Sequence, residues 1–574
     1  MQGVSSVEDT LFNCPAKGEK IMKRKLLAIV FALAAALCIA FALPACSNGD
    51  ATNPDDDSQL IIPEEMGTEG LRYTLSDDGT YYIVSGIGID TQTDIVIPSF
   101  YNNLPVREIV HFTFTPITSV TIGYGVTSID DLAFNYCSLL ESVTIPDSVT
   151  YIGDWAFSDC ELLTNVTIPD SITYIGDDAF SRCDSLQYNE HENALYLGNK
   201  NNPYVVLVDV KDTPSTDYII NQNTKIIYTS ALADCNNLTA ITIPESVTSI
   251  GRSAFSGCSA FTNLIIPDSV TSIGGYAFEG CSALTSITIP DSVTSIGSYA
   301  FEGCTSLTSF TIPDSVTSIG AGAFSGCTSL TSFTIPDSVT SIGGGAFSGC
   351  SALQYNEYGN TLYLGNEDNP YLALIDVKDT SLPDYTINSN TKIICPYAFA
   401  NCNNLTEITI PDSVTSIGVS VFEGCTSLTN IIIPDSITSI EQSAFKSCTS
   451  LTNIIIPDSV TSIGVGAFRY CNSLTNITIP DSVTSIGDYT FWGCDLLANI
   501  TIPNTVTSIG FGAFEGCTTL ASVYFTGTAE DWNNIYISLY NSPLTDATIY
   551  YYSESQPTEE GDYWHYVDGV PTVW

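Results

Sequence analysis

The sequence predicts a repeat solenoid, a right-handed coil of 23-residue units with a parallel β-sheet, short helical turns and two β-hairpin insertions. Three observations predict it. Cys137, Cys160 and Cys183 are evenly spaced, as are the members of two longer runs, Cys235 to Cys350 and Cys402 to Cys517, so that fifteen of the 19 cysteines share one period. The dipeptide Ile-Pro recurs twelve times in the same frame between Pro146 and Pro503. Ahead of each proline, apolar and polar residues alternate with the period of two that marks a half-buried strand.

The elements follow in chain order. Lys23-Arg24-Lys25 precedes a 17-residue apolar stretch, Leu26 to Ala42, which fits a secretory leader and is long enough to admit a membrane anchor. Leu43-Pro44-Ala45-Cys46 follows and resembles the lipobox of bacterial lipoproteins, which implies cleavage and lipidation at Cys46. Residues 1–45 are therefore read as a leader whose start codon is misplaced, with Met22 the true start. Residues 46–67, with their Asn-Pro-Asp-Asp-Asp run, read as an acidic tether. Residues 68–118 have irregular spacing and are expected to form an N-terminal cap with degenerate coils, Tyr81 to Gly86 being the clearest strand.

The array itself is expected over 119–521. In the unit Leu284 to Ser306, Ile287 and Ile289 alternate with Ser286 and Thr288, Pro290 removes a backbone donor and ends the strand, and Asp291-Ser292 form a turn. Val293 to Ile296 is a second extended piece, Gly297 permits a bend, and Ala300-Phe301 opens a helical or 3₁₀ turn closing at Gly303-Cys304. The predicted inward set is Leu284, Ile287, Ile289, Val293, Ile296, Ala300, Phe301 and Cys304. A single unit has neighbours on both faces or it is unstable, which is the physics of a solenoid.

Cys183 to Cys235 and Cys350 to Cys402 break the even spacing by the same amount, one period plus an added segment. The added segments, about 184–212 and 351–379, are near copies, LQYNEHENALYLGNKNNPYVVLVDVKD and LQYNEYGNTLYLGNEDNPYLALIDVKD. Each reads as a hairpin flap on the solenoid edge. The flaps admit two roles, a specialised contact surface or a stiffening decoration. The second copy opens at Leu353 and the first at Leu186, and this large common offset indicates that a block of coils was duplicated whole. Residues 522–574 are read as a C-terminal cap in which Trp532 plugs the last coil, followed by an aromatic tail that either packs down or stacks on sugars.

The motif SVTSIGxxAFxGCxSLTSITIPD, repeated from about Val120 to Ala521, resembles the BspA-like leucine-rich repeat family of bacterial surface proteins. That resemblance implies a leucine-rich-repeat fold and a cell-surface lipoprotein that binds or adheres to extracellular protein or glycan. The alternative it leaves is a glycan-capture or envelope-structural module without host adhesion. Repeat scaffolds carry many partners, so the motif speaks to fold more than to ligand.

Composition narrows the function classes. Sixteen basic residues against 63 acidic ones give a formal net charge of −47, which repels nucleic acid and anionic lipid surfaces. Membrane contact is therefore expected only through the lipid anchor. Three histidines, His111, His191 and His565, stand far apart, and no nucleophile elbow, P-loop or HExxH motif occurs, so neither an enzyme nor a cofactor is expected. The cysteine ladder is read as reduced, buried thiols, against a metal or disulfide reading that lacks CxxC pairs. Aspartates after each Ile-Pro, such as Asp291 and Asp435, are read as turn caps, against a cation-binding ladder with too few ligands per turn.

What remains for binding is the outward face of the first strand. Its candidate contact residues are Ile265, Thr288, Thr311, Thr334, Ile432, Ile455 and Thr478. The three isoleucines interrupt a carpet of hydroxyl and amide groups where the repeat otherwise places Thr.

Overall fold

The computed structural model describes residues 67–574 apart from 89–92, 212–215 and 559–560. The leader, Cys46 and all but the last residue of the tether lie outside the described residues. Glu64–Trp574 forms one compact unit.

Most coils contribute one rung to each of two parallel ladders. In the first, Ser286–Thr288 pairs in register with Asn263–Ile265, residue for residue at a distance of one period. In the second, Ser295–Ile296 pairs with Ser318–Ile319. Every member of the predicted inward set of the Leu284 unit is buried. Parallel pairing reaches back before the clear motif: Asp94–Ile97 joins the first ladder at Ser119–Ile122, and Leu104–Ile109 the second at Ser128–Ile129. In front of it, Leu71–Leu75 and Tyr82–Ile87 form an antiparallel pair.

The segment expected to be a helical turn is instead a succession of tight turns. Tyr299 and Gly303 have φ of 58° and 69°, and the turns close through Glu302 N–H to Tyr299 C=O at 3.1 Å and Cys304 N–H to Phe301 C=O at 3.2 Å. The left-handed residues turn alternate peptides outward, so Tyr299, Phe301 and Gly303 donate their N–H groups to Ala321, Ala323 and Ser325 of the next coil. A helix would keep those donors to itself. Spending them between coils makes the turns a third ladder. Among the described residues the helices are Ala529–Asn533 and Ser542–Asp546, near the C-terminus, and no helix is long and apolar enough to cross a membrane.

Two side-chain columns explain the motif. Phenylalanines stack coil on coil, Phe278, Phe301 and Phe324 having ring centroids 5.3 and 5.4 Å apart. Gly297 lies so close to the coil before it that a Cβ would come within 2.6 Å of the Gly274 carbonyl group. Tyr228 and Cys395 hold the corresponding position immediately after the two insertions, where no ordinary coil precedes them. The Tyr228 hydroxyl accepts the Phe180 N–H, which has lost its usual acceptor in the next coil.

The insertions are not edge flaps. Each has three strands, Asn189–His191, Ala194–Leu197 and Val206–Val210 in the first copy, paired antiparallel in sequence. The third then pairs parallel with Ile226–Ile227 as a rung of the second ladder. Asn356–Tyr358, Thr361–Leu364 and Ala373–Val377 repeat this arrangement. The hairpin turn seals the first ladder as well: Gly198 C=O accepts from Ile168 N–H at 3.0 Å, and Asn199 Nδ2 donates to Ile168 C=O at 3.0 Å.

The array also runs one coil past its motif. Ser522–Phe525 pairs with Thr548–Tyr552, and Ser508–Ile509 with Tyr536–Ile537. Trp532 is only half-buried, against Phe525, and so does not plug the end. Leu544 closes the core, and buried Asn541 accepts the free N–H of Phe514 and donates to Gly510 C=O. In the aromatic tail Trp564 packs down, buried against Tyr524 and Tyr552 and donating its indole N–H to Phe525 C=O at 2.9 Å, while Tyr566 and Trp574 stay exposed.

Candidate functional site

The first ladder offers a regular outward surface. Strand alternation aims Ile287 into the core and Ser286 and Thr288 to solvent, and register alignment stacks like positions into columns at the strand spacing of about 4.8 Å. Thr288, Thr311, Thr334 and Thr478 are all exposed in one such column. So are Ile265, Ile432 and Ile455, at 78%, 57% and 76% of full exposure. Ile432 pairs across the ladder with Thr409 and Ile265 with Thr288, while the stretch holding Ile455 follows the same period without regular strand pairing.

Sequence reasoning missed a fourth apolar member. Ile219 pairs with Thr242 and is 68% exposed. It is hidden in the sequence because it follows the first insertion without the Leu-Thr-x-Ile lead, although counting one period back from Thr242 finds it. The column therefore carries Ile219 and Ile265 two coils apart, with Thr242 between them, and Ile432 and Ile455 on successive coils. It also ends sooner than expected. Thr501 is buried, beside Tyr524 and the packed tail, so the open face stops near Thr478.

Flanking hydroxyls are committed to the fold. Thr285 Oγ1 donates to Thr262 C=O at 2.9 Å and Thr429 Oγ1 to Thr406 C=O at 3.0 Å. These bonds tie coil to coil and hold the outward columns in place.

The turn aspartates do not cap their own turns. Val293 N–H closes the turn on Pro290 C=O at 3.1 Å, and the neighbouring serine column reaches the preceding coil, Ser315 Oγ donating to Val293 C=O at 2.7 Å. Among the described residues of this aspartate column only Asp170 and Asp337 accept a side-chain hydrogen bond, each from an insertion asparagine.

The thiols are buried and unpaired among the described residues, and burial pushes Cys281 and Cys425 up to about 12. Another perturbed group stands on the turn side. Burial and the neighbouring Asp154 carboxylate push Asp177 up to about 6, with Arg252 3.9 Å away opposing them. A shallow depression of about 380 Å³ opens beside it, lined by Leu132, Tyr136, Trp155, Asp159, Asp178 and Arg182 among others.

A repeat solenoid with regular columns of exposed side chains is the class of protein this geometry defines. The family model of the BspA type leucine rich repeat region, in six copies, matches residues 108–201, 213–362, 377–497 and 440–550. The chain belongs to that family. No curated protein matches it. Among solved structures it is similar to a leucine rich cell surface protein of Faecalibacterium prausnitzii A2-165, 26% identical, covering 82% of this chain and 97% of that one at a TM-score of 0.26. A leucine-rich repeat protein of Bacteroides ovatus ATCC 8483 is 23% identical over 84% of this chain and 98% of that one, with a TM-score of 0.23. The pneumococcal vaccine antigen PcpA is 16% identical over 83% of this chain and 96% of that one, with a TM-score of 0.28.

Proposed function

We propose that the chain is a bacterial cell-surface lipoprotein, anchored at Cys46, that binds an extended extracellular protein on the outward face of its first ladder. The observation that carries this reading is the column of exposed isoleucines, Ile219, Ile265, Ile432 and Ile455, in a face otherwise made mainly of Thr, Ser and Asn, with Asp217, Ala240 and Glu407 among them. Their neighbours fold equally well with Thr, so the apolar area is not spent on stability. A partner that buries an isoleucine gains about 1.5–3 kcal/mol from it. The pre-ordered sheet loses little conformational entropy on docking. The role is binding rather than catalysis, and it needs no cofactor.

The test is a binding screen of the purified chain against extracellular matrix and bacterial surface proteins, repeated with Ile432→Thr/Ile455→Thr. The double variant is expected to keep its thermal midpoint and to bind at least about tenfold more weakly. Unchanged binding defeats the sheet-face reading. For the anchor, a fatty-acid analogue fed to cells is expected to label the wild type and not Cys46→Ala; a labelled mutant defeats it.

A further inference from the structure

We propose that the turn edge of the coils between Phe114 and Arg182 is a second binding site, for a neutral saccharide chain. It lies on the turn ladder and uses none of the isoleucines of the strand face.

The internal duplication supplies the comparison. Phe114, Tyr136, Trp155, Leu139 and Leu162 are all exposed on this edge. The offset that carries Leu186 onto Leu353 carries Tyr136, Trp155, Leu139 and Leu162 onto Gly303, Gly322, Ser306 and Ser329 of the second block. Both blocks form the same ladders, so the coil has no need of large apolar groups at these points. Tyr136 and Trp155 have φ of 57° and 51°, a left-handed backbone that the turns also impose on Tyr276, Tyr299 and Tyr489 outside this stretch, so the backbone belongs to the turn and only the exposed rings set these coils apart.

The surroundings say what the rings are for. Tyr136 and Trp155 line the depression of about 380 Å³ together with Asn135, Ser158, Asp159 and Arg182. Phe114, itself exposed, stacks on one face of Tyr136 with ring centroids 4.8 Å apart. Asp159 is held in place by Arg182 at 3.2 Å and by Ser158 at 3.1 Å. Flat rings beside fixed donors and acceptors match a pyranose, whose C–H face is apolar and whose edge is a row of hydroxyls. The ligand is neutral, because Arg182 is already paired with Asp159 and the chain carries a net charge of −47, which repels sulfated and uronate chains.

The experiment titrates the full chain with cello-, malto-, chito-, manno- and xylo-oligosaccharides to millimolar concentration, following tryptophan fluorescence and heat. At least one series is expected to bind the wild type. Trp155→Gly is expected to weaken that binding by at least about tenfold while leaving the thermal midpoint unchanged or raised, since glycine relieves the strained φ. A structural tryptophan would instead lower the midpoint. Tyr136→Gly is expected to act in the same direction, and Ile432→Thr/Ile455→Thr to leave saccharide binding intact. The proposal is overturned if no oligosaccharide binds, if only heparin binds, if binding survives both glycine variants, or if Trp155→Gly abolishes binding of a protein while no oligosaccharide binds.

Discussion

Cys304 donates its S–H to the Phe278 carbonyl of the preceding coil at 3.2 Å, and the same bond recurs along the runs of ordinary coils, at 3.3 Å from Cys160 and 3.1 Å from Cys517. That carbonyl already accepts the Cys281 N–H, and the thiol takes its second lone pair. Alanine at this position would leave a void and an under-used acceptor, and valine could not donate. The spacing of the cysteines made their burial legible in the sequence. The hydrogen bond was not, because it depends on how one coil sits on the next, which brings Cys304 to a carbonyl of the coil before it. Since the thiolate is the nucleophile, thiols raised to about 12, as in Cys281, are inert near neutrality. Iodoacetamide at about pH 8, just below the ordinary thiol pKa, is therefore expected to leave the fifteen raised thiols unmodified in the folded chain, with Cys235, which the hydrogen bond with Cys258 lowers, shielded by burial alone, and to modify all sixteen in guanidinium. Fast native labelling of Cys304, read by peptide mass spectrometry, contradicts the assignment.

Among the elements, the hairpin insertions depart furthest from sequence expectation. Two of the three strands in each, and the turn between them, were legible from the YLGN…NPY pattern, while the leading strands Asn189–His191 and Asn356–Tyr358 were not. The place of the insertions was not legible either: Val206 and Leu207 join the second ladder by pairing with Ile226 and Ile227, a register that no Ser-Ile-Gly motif announces. Loss of the motif glycine at Tyr228 and Cys395 was not a sufficient signal, because Glu441 also replaces it and follows an ordinary coil. The difference has an energetic consequence. Leu207 is fully buried, and Leu207→Ala is expected to destabilise its neighbourhood by about 2–5 kcal/mol, as core leucines do. A peripheral flap would change stability by less than about 0.5 kcal/mol. Hydrogen exchange at Ile226–Ile227 and Ser249–Ile250 reads the effect, and protection there equal to wild type returns the hairpin to the edge.

For the molecule as a whole, the insertions partition the core. Three buried clusters follow one another along the chain, and the hairpins form the walls between them. Alternate residues of a wall face different clusters: Leu197 and Val206 belong to the first, Tyr196 and Leu207 to the second. At the second wall Leu364 and Ala373 face back into the second cluster, while Tyr363 and Leu374 face the third. Within a cluster neighbouring coils are coupled through the turn ladder, through most rungs of the two strand ladders and through long runs of the phenylalanine column. At a wall the ordinary coil is replaced, and Phe180 reaches the next block through the Tyr228 hydroxyl rather than a backbone carbonyl. Repeat arrays are stable as sums of unit and nearest-neighbour terms, so weaker interfaces are where cooperativity breaks. Hydrogen exchange under mild guanidinium is therefore expected to sort the array into three groups of amides, with boundaries at Asn189–Val210 and Asn356–Val377. Leu207→Ala is expected to loosen the first two groups and leave the third unchanged. Exchange that is uniform from Asp94 to Tyr552, or a Leu207→Ala effect that spreads to the third group, means instead that the walls couple the blocks as tightly as ordinary coils do.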